Sequence, residues 1–138
     1  MRYWIIVVSK DHIVRGIAGG FIQANHGKQG PLKRLTTNDW VVCYSPKLHF
    51  DGNEPCQAFT AIGQVTGAEI FQYKMSDSFN PFRRNINYYT CKEVAIAPLI
   101  MQLEFIKNKN AWGYPFRFGF FEITNVDFEL IKTQMLIN

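Results

Sequence analysis

The sequence has no long apolar run. Its 138 residues hold only short hydrophobic stretches, and the first, residues 4–8, is followed at once by Ser9-Lys10-Asp11. A membrane helix needs about 20 apolar residues, and a secretory signal needs a longer apolar core than this. We therefore expect no membrane partner.

Cysteine is scarce, and the histidines are scattered. The three cysteines, Cys43, Cys56 and Cys91, are odd in number and show no paired spacing, which argues against a disulfide framework. A reducing cytoplasm is the expected setting. Histidines 12, 26 and 49 pair with no cysteine or carboxylate at metal-ligand spacing. The sequence predicts neither a metal site nor a cofactor.

Known catalytic and nucleotide motifs are also missing. Between Gly20 and Gly27-Lys28 lie six residues where a phosphate loop needs about four, and Gln29 stands where that loop needs Ser or Thr. The glycines at 16–20 follow a helical stretch, whereas those of a dinucleotide fingerprint open one. Because no Ser or Cys is evidently paired with an oriented base, we expect no catalytic residues and no enzyme.

Globular composition is what remains. Hydrophobic residues make up 47% of the chain and charged residues 19%, which predicts one folded domain over residues 1–138. The net charge of +4 is uneven, because residues 1–50 carry seven Lys/Arg against two Asp. A basic face of this kind suits a polyanionic partner.

Apolar patterns and turn residues predict an α+β or barrel-like fold of five or six strands with short helices. The expected strands cover residues 3–8, 40–44 (ending before Pro46), 57–65, 70–75, 86–91 and 117–123. The expected helices cover residues 11–18, residues 98–103, and a C-terminal stretch that begins with the capping pattern Thr124 to Asp127.

The segment 112–121 contains six aromatic residues in ten positions. In a strand, Phe116, Phe118 and Phe120 would alternate onto one buried face. Trp112 precedes them in a Gly/Pro-rich loop, where a large ring could instead stack on a ligand base.

Basic residues cluster twice beside glycine or aromatic residues. Residues 26–34 combine His26, Gly27 and Gly30 with lysine and arginine, and residues 80–85 combine Phe82 with two arginines. Such loops suit phosphate contacts. We expect phosphates to contact Lys28, Lys33, Arg34, Arg83 and Arg84.

Several blocks resemble one known family. They are Gly19-Gly20-Phe21, His26-Gly27-Lys28, Pro31-Leu32, Tyr44-Ser45-Pro46, residues 57–63, and residues 112–119. Together they resemble the EVE domain family of the PUA-like superfamily, a relative of the YTH readers of methylated adenine. The resemblance implies a PUA-like mixed β pseudo-barrel of five or six strands flanked by short helices, with a concave pocket for a modified base. The pocket residues that it implies are Ser9, Lys10, His26, Gly27, Lys28, Tyr44, Ser45, Phe59, Thr60, Trp112 and Arg117.

These observations lead to one hypothesis and two rivals. The chain would bind DNA or RNA that is modified or single-stranded. Trp112, Tyr44 or Phe59 would stack on one base, and Ser9 and Thr60 would form hydrogen bonds with the edge of that base. One rival is a small-molecule or nucleotide binder using the same pocket. The other is an enzyme acting on a nucleotide, with His26 as acid or base.

Overall fold

A computed structural model describes residues 1–136. Its strands are β1 (Tyr3–Val7), β2 (Phe21–Ile22), β3 (Trp40–Lys47), β4 (Pro55–Gln72), β5 (Phe82–Tyr88), β6 (Val94–Ala95) and β7 (Phe120–Ile123). Its α-helices are α1 (Lys10–Gly19), α2 (Gln29–Lys33) and α3 (Asn125–Met135), and short 3₁₀ helices cover Ala97–Leu99, Lys109–Ala111 and Tyr114–Phe118. The fold is therefore α+β, as expected, with five longer strands and two strands of two residues each.

The strands form one sheet in the order β2-β5-β4-β3-β1-β7, and β6 pairs with β4. Strands β1 and β3 run parallel, joined by a crossover that contains α1, β2 and α2, while the other pairs are antiparallel. Within the described residues β2 and β7 remain the two edges, so the sheet does not close into a barrel.

The central strands are buried on both faces. In β1, Ile5 belongs to one apolar cluster with α3, while Trp4 and Ile6 belong to a second cluster that includes Ile13 of α1. This explains why β1 has a continuous apolar sequence, since a strand covered on both sides has no polar face. The carboxyl end of β1 therefore lies between these two apolar clusters.

Three element boundaries differ from expectation. β3 continues through Pro46, because the register with β4 shifts between Ser45 and Lys47 and a bulge tolerates proline. The two strands expected over residues 57–75 are one long strand, β4, whose pairing with β5 is irregular between Val65 and Ile70. The helix expected from Pro98 is only a short 3₁₀ turn.

The late aromatic segment also differs. The strand expected over residues 117–123 starts only at Phe120, after the 3₁₀ helix Tyr114–Phe118. In that helix Phe116 is buried and Phe118 is 59% exposed. Placing Phe118 in the core was therefore wrong, because strand alternation does not apply to a helical segment.

Candidate functional site

A cavity of about 660 Å³ opens at the carboxyl end of β1. Its walls come from the end of β1, the first turns of α1, residues 21–28, the end of β3, the loop before β5 and the 3₁₀ segment at 116–119. The volume falls within the range of small-ligand sites, which is about 300–1,000 Å³. Six parts of the chain thus meet around one concave space.

Two glycines allow the walls to approach each other. Asn25, His26 and Gly27 all have left-handed backbone conformations, with φ of 47°, 63° and 80°. A Cβ at Gly27 would lie 2.4 Å from Pro81 Cβ, and one at Gly119 would lie 2.2 Å from Asn25 Oδ1. A side chain at Gly27 would displace Pro81, including its backbone. At Gly119 the Asn25 side chain could move aside, but the φ of 74° favours glycine there.

Aromatic rings stand at the cavity in exposed positions. Phe50, Phe79 and Phe118 are 48%, 39% and 59% exposed, and all three line the cavity. His12 stacks on Phe50 with ring centroids 5.0 Å apart, and His26 meets the same ring edge-on at 5.9 Å. Exposed rings around a concave space provide flat apolar surfaces on which a planar ligand can stack.

The cavity is lined by positive charge. Its basic residues are Arg15, Lys28, Lys47, Arg83 and Arg117, joined by the two histidines. Among residues 1–136, no aspartate or glutamate lines it. A concave surface with charge of one sign focuses the field and attracts ligands of the opposite sign.

A hydrogen-bond network fixes the loop that carries Phe50. Ser9 Oγ donates to Asp11 Oδ1 at 2.6 Å, and Phe50 N–H donates to both oxygens of the same carboxylate at 3.2 and 3.3 Å. Burial raises the pKa of Asp11, but the hydrogen bonds from Ser9 and Phe50 and the neighbouring His12 outweigh it, so the pKa lies below its ordinary value. The ionised carboxylate therefore holds the loop against the start of α1.

Arg83 is the most enclosed cation of the cavity. Its guanidinium carbon lies 3.8 Å from the ring centroid of Phe21 and 4.1 Å from that of Tyr73. Its Nε donates to Gln23 Oε1 at 2.7 Å, and the residue is 9% exposed. Burial lowers the pKa of Arg83.

Six of the residues predicted from the sequence lie together at the cavity. They are Ser9, His26, Gly27, Lys28, Arg83 and Arg117. Of these, Lys28 and Arg117 are exposed, as a phosphate contact requires, and Arg83 is buried.

Four other predicted pocket residues belong to the interior. Tyr44 and Phe59 are at most 2% exposed and pack in the core, so neither can stack on a ligand. Burial raises the pKa of Tyr44 to about 12. Ser45 and Thr60 are buried and share a hydrogen bond of 2.7 Å between their hydroxyls. The expectation that these four side chains contact a base is corrected accordingly.

Four more of the predicted residues do not line the cavity, namely Lys10, Lys33, Arg34 and Trp112. Lys10 forms an ion pair with Glu93, and Trp112 is half-buried against the core cluster of Tyr44 and Phe116. The exposed side chains of Lys33 and Arg34 belong to α2 and its end, and the Arg34 guanidinium lies 4.9 Å above the ring of Trp4.

Arg84 has a structural role instead of the expected phosphate contact. It is 4% exposed and donates to the carbonyl oxygens of Leu32, Leu35 and Gly67, the last at 3.0 Å. These bonds connect β5 to the end of α2 and to the irregular part of β4. A guanidinium used in this way is not available to a ligand.

Sequence reasoning missed several cavity residues. They include His12, Arg15, Phe21, Gln23, Lys47, Phe50 and Phe79. Phe50 and Phe79 each stand in a polar loop. A large aromatic ring in a loop is the feature that indicated Trp112, so the same criterion would have identified Phe50 and Phe79. Gln23 carries no such signal, because its role depends on Arg83, sixty residues away in the chain.

The described chain shows neither a metal centre nor a membrane-spanning helix. Within residues 1–136, no three His, Cys, Asp or Glu side chains come together as a metal site requires. No helix in that range is long and apolar enough to cross a membrane.

Comparison with solved structures defines the class of the fold. The chain superimposes on the crystal structure of the MmI1 YTH domain with a TM-score of 0.56 and 10% identity, covering 96% of this chain and 93% of that one. A hypothetical protein from Leishmania major gives a TM-score of 0.60 at 13% identity, with 95% and 92% covered. At these identities the likeness concerns the fold alone, which is shared with the YTH domain.

Sequence comparison gives the family within this class. The family model of the EVE domain matches residues 2–134, so the chain belongs to the EVE domain family. A UPF0310 protein from Mycolicibacterium vanbaalenii is 48% identical over 136 residues, covering 99% of this chain and 94% of the relative. One from Bacillus licheniformis is 47% identical, with 93% and 87% covered.

Proposed function

We propose that this EVE domain is a nucleic-acid-binding module that accepts one extruded base in the cavity at the end of β1. The observation that carries the proposal is the lining, which combines exposed aromatic rings with five basic side chains and, among residues 1–136, no acidic one. Stacking on an aromatic ring contributes about 1–3 kcal/mol per base and tolerates any base. Basic side chains at the same site suit the phosphates on either side.

The residues take different roles in this proposal. Phe50, Phe79 and Phe118 supply stacking surfaces in place of the rings first expected. Lys28 and Arg117 are exposed at the cavity and would contact phosphates. Extruding a base from a duplex costs a few kcal/mol, so single-stranded or distorted nucleic acid is the easier target.

A binding role is favoured over catalysis. His26, the acid or base of the rival hypothesis, meets Phe50 edge-on, and no carboxylate of residues 1–136 lines the cavity to orient it. General-base histidines are usually held by such a partner.

The finer part of the proposal is that the bound base carries a modification. A methyl-sized group buried among the rings would add about 0.8 kcal/mol. Larger discrimination needs a polar group that the plain base leaves unpaired. Ser9 and His26 are the predicted polar groups that line the cavity. The Ser9 hydroxyl donates its hydrogen to Asp11, so it would serve a base only as an acceptor.

The test is a titration of fluorescent single-stranded and duplex oligonucleotides at several salt concentrations. We expect affinity to fall with salt at a logarithmic slope of about 0.7 per phosphate contact for single strands. Lys28→Ala with Arg117→Ala should reduce that slope. Lys132→Ala, which removes a lysine lying over Trp40, is the matched control and should not. Binding of free nucleotides without any oligonucleotide binding would instead favour the small-molecule rival.

A further inference from the structure

The guanidinium of Arg83 has an unusual combination of properties. Arg83 as a residue is 9% exposed, it lines the cavity, and its charge has no carboxylate partner among residues 1–136. Buried charges are normally paired, because taking an ion out of water is costly. An enclosed cation that faces a ligand cavity without a partner indicates that the ligand supplies the acceptor.

The geometry leaves one edge of the group available. The rings of Phe21 and Tyr73 cover its faces, and Nε is used by Gln23. The only deeply buried side-chain nitrogen or oxygen of residues 1–136 without a partner is Arg84 Nε. The two Nη groups of Arg83 therefore keep contact with solvent, and no acceptor from that part of the chain bonds them.

This edge is held in a fixed orientation. Arg83 pairs with Phe71 across β4 and β5, so Tyr73, two residues further, is its diagonal neighbour on the same face. Phe21 lies on β2, the neighbouring strand on the other side. A guanidinium held between rings and bonded at Nε loses little freedom when it binds, and it presents two parallel N–H donors in one plane.

We propose that Arg83 is the specificity-determining residue of the cavity and selects bases that present two acceptor atoms side by side. This inference rests on the proposed function. Guanine offers O6 and N7 in this arrangement, and an extruded cytosine offers O2 and N3. Adenine places an amino donor beside N7, and in uracil or thymine an N–H separates the two carbonyls. Arg83 thus favours guanine and cytosine over adenine, thymine and uracil.

The experiment compares oligothymidylates that carry one central guanine, cytosine, adenine or 7-deazaguanine. The last replaces N7 by C–H and removes one acceptor of the pair. We expect guanine and cytosine to bind about 5- to 150-fold more tightly than adenine, with 7-deazaguanine falling toward adenine. If no oligonucleotide binds, the proposed function itself fails. If all bind equally, the proposed function stands and the role of Arg83 is refuted.

Two variants test the residue. Arg83→Lys keeps the charge but removes the planar pair of donors, so it should abolish the preference while retaining salt-dependent binding. Gln23→Glu replaces the amide that accepts from Arg83 Nε with a carboxylate. The charge of Arg83 is then offset within the protein. This variant should weaken guanine and cytosine binding without lowering the melting temperature.

The control is Arg2→Lys, at an exposed arginine that contacts Glu122 at 4.0 Å and does not line the cavity. It should leave the preference unchanged. Should Arg83→Lys fail to fold, the unchanged protein decides, because equal binding of the guanine and 7-deazaguanine oligonucleotides contradicts the proposal. An undiminished preference in folded Arg83→Lys contradicts it equally.

Discussion

Phe116 and Phe118 stand two residues apart in the same 3₁₀ helix and both line the cavity, but Phe116 is buried and Phe118 is exposed. Phe116 is 7% exposed, and its ring centroid lies 4.0 Å from that of Tyr44, 5.7 Å from Phe105 and 5.9 Å from Phe121. Phe118 is 59% exposed, and its ring partner Tyr114 is exposed as well. Truncating each to alanine should therefore give different results.

The cost of Phe116→Ala follows from its burial. Removing a buried phenylalanine ring destabilises a protein by about 3–5 kcal/mol, including the cavity left behind. For a domain of this size each kcal/mol lowers the melting temperature by about 3 °C, so a fall of about 10–15 °C is expected. Phe118→Ala removes mostly exposed surface and should change the free energy of unfolding by about 0.5 kcal/mol or less.

Binding tests the exposed ring directly, because Phe118→Ala should leave the fold intact. If the Phe118 ring stacks on a base, its loss costs about 1–3 kcal/mol of affinity, a factor of about 5–150. The assays are thermal unfolding, followed by titration with a single-stranded oligonucleotide at one salt concentration. Equal melting temperatures for the two variants would refute the assignment of core and cavity. Unchanged affinity in Phe118→Ala would remove this ring from the binding surface.

Three further predictions concern a structural arginine, pH and the ligand. Arg84→Met should destabilise the fold by about 3 kcal/mol in urea unfolding, because it leaves buried carbonyl oxygens without donors; a loss below about 0.5 kcal/mol would contradict this role. Because the pKa of Asp11 is lowered in the folded state, its stabilisation is present above about pH 4 and is lost as pH falls through the folded-state pKa. Melting temperatures measured between about pH 5 and pH 3 should therefore fall less steeply in Asp11→Asn than in the parent. Oligonucleotides with one methylated base should bind a few-fold more tightly than plain ones in calorimetry, consistent with about 0.8 kcal/mol per buried methyl, and Ser9→Ala should reduce this preference more than the overall affinity. Equal affinities across modified cytosines and adenines would contradict modified-base reading and leave general binding intact.

Much of the fold could be predicted because its signals are local. The apolar run of β1 and the glycines that end α1 depend on neighbours within a few residues. The capping pattern is equally local, and Thr124 does accept the N–H of Asp127 at the start of α3. The irregular part of the sheet was not predicted. The sequence indicated two strands over residues 57–75, whereas β4 continues through the residues where its pairing with β5 shifts.

The cavity was harder to predict because its residues come from segments that are far apart in the sequence and meet only in the folded structure. Two arginines adjacent in sequence, Arg83 and Arg84, point to different environments, as successive residues of a strand must. One lines the cavity, and the other bonds backbone carbonyls on the opposite side of β5. From sequence the pair forms one basic cluster, and only the strand register separates their roles.

The cavity gathers more positive charge than the modest net charge of the chain suggests. The total is only +4, and residues 51–138 taken alone carry one more acidic than basic residue. Yet the fold places Arg83 and Arg117, both from that acidic part, beside Arg15, Lys28 and Lys47. Asp11 stays ionised beside this group and pairs with Arg15 at 3.9 Å, so it offsets part of the positive charge. The remaining cations are still concentrated at one cavity, and they should speed the encounter with an anionic ligand in a salt-dependent way.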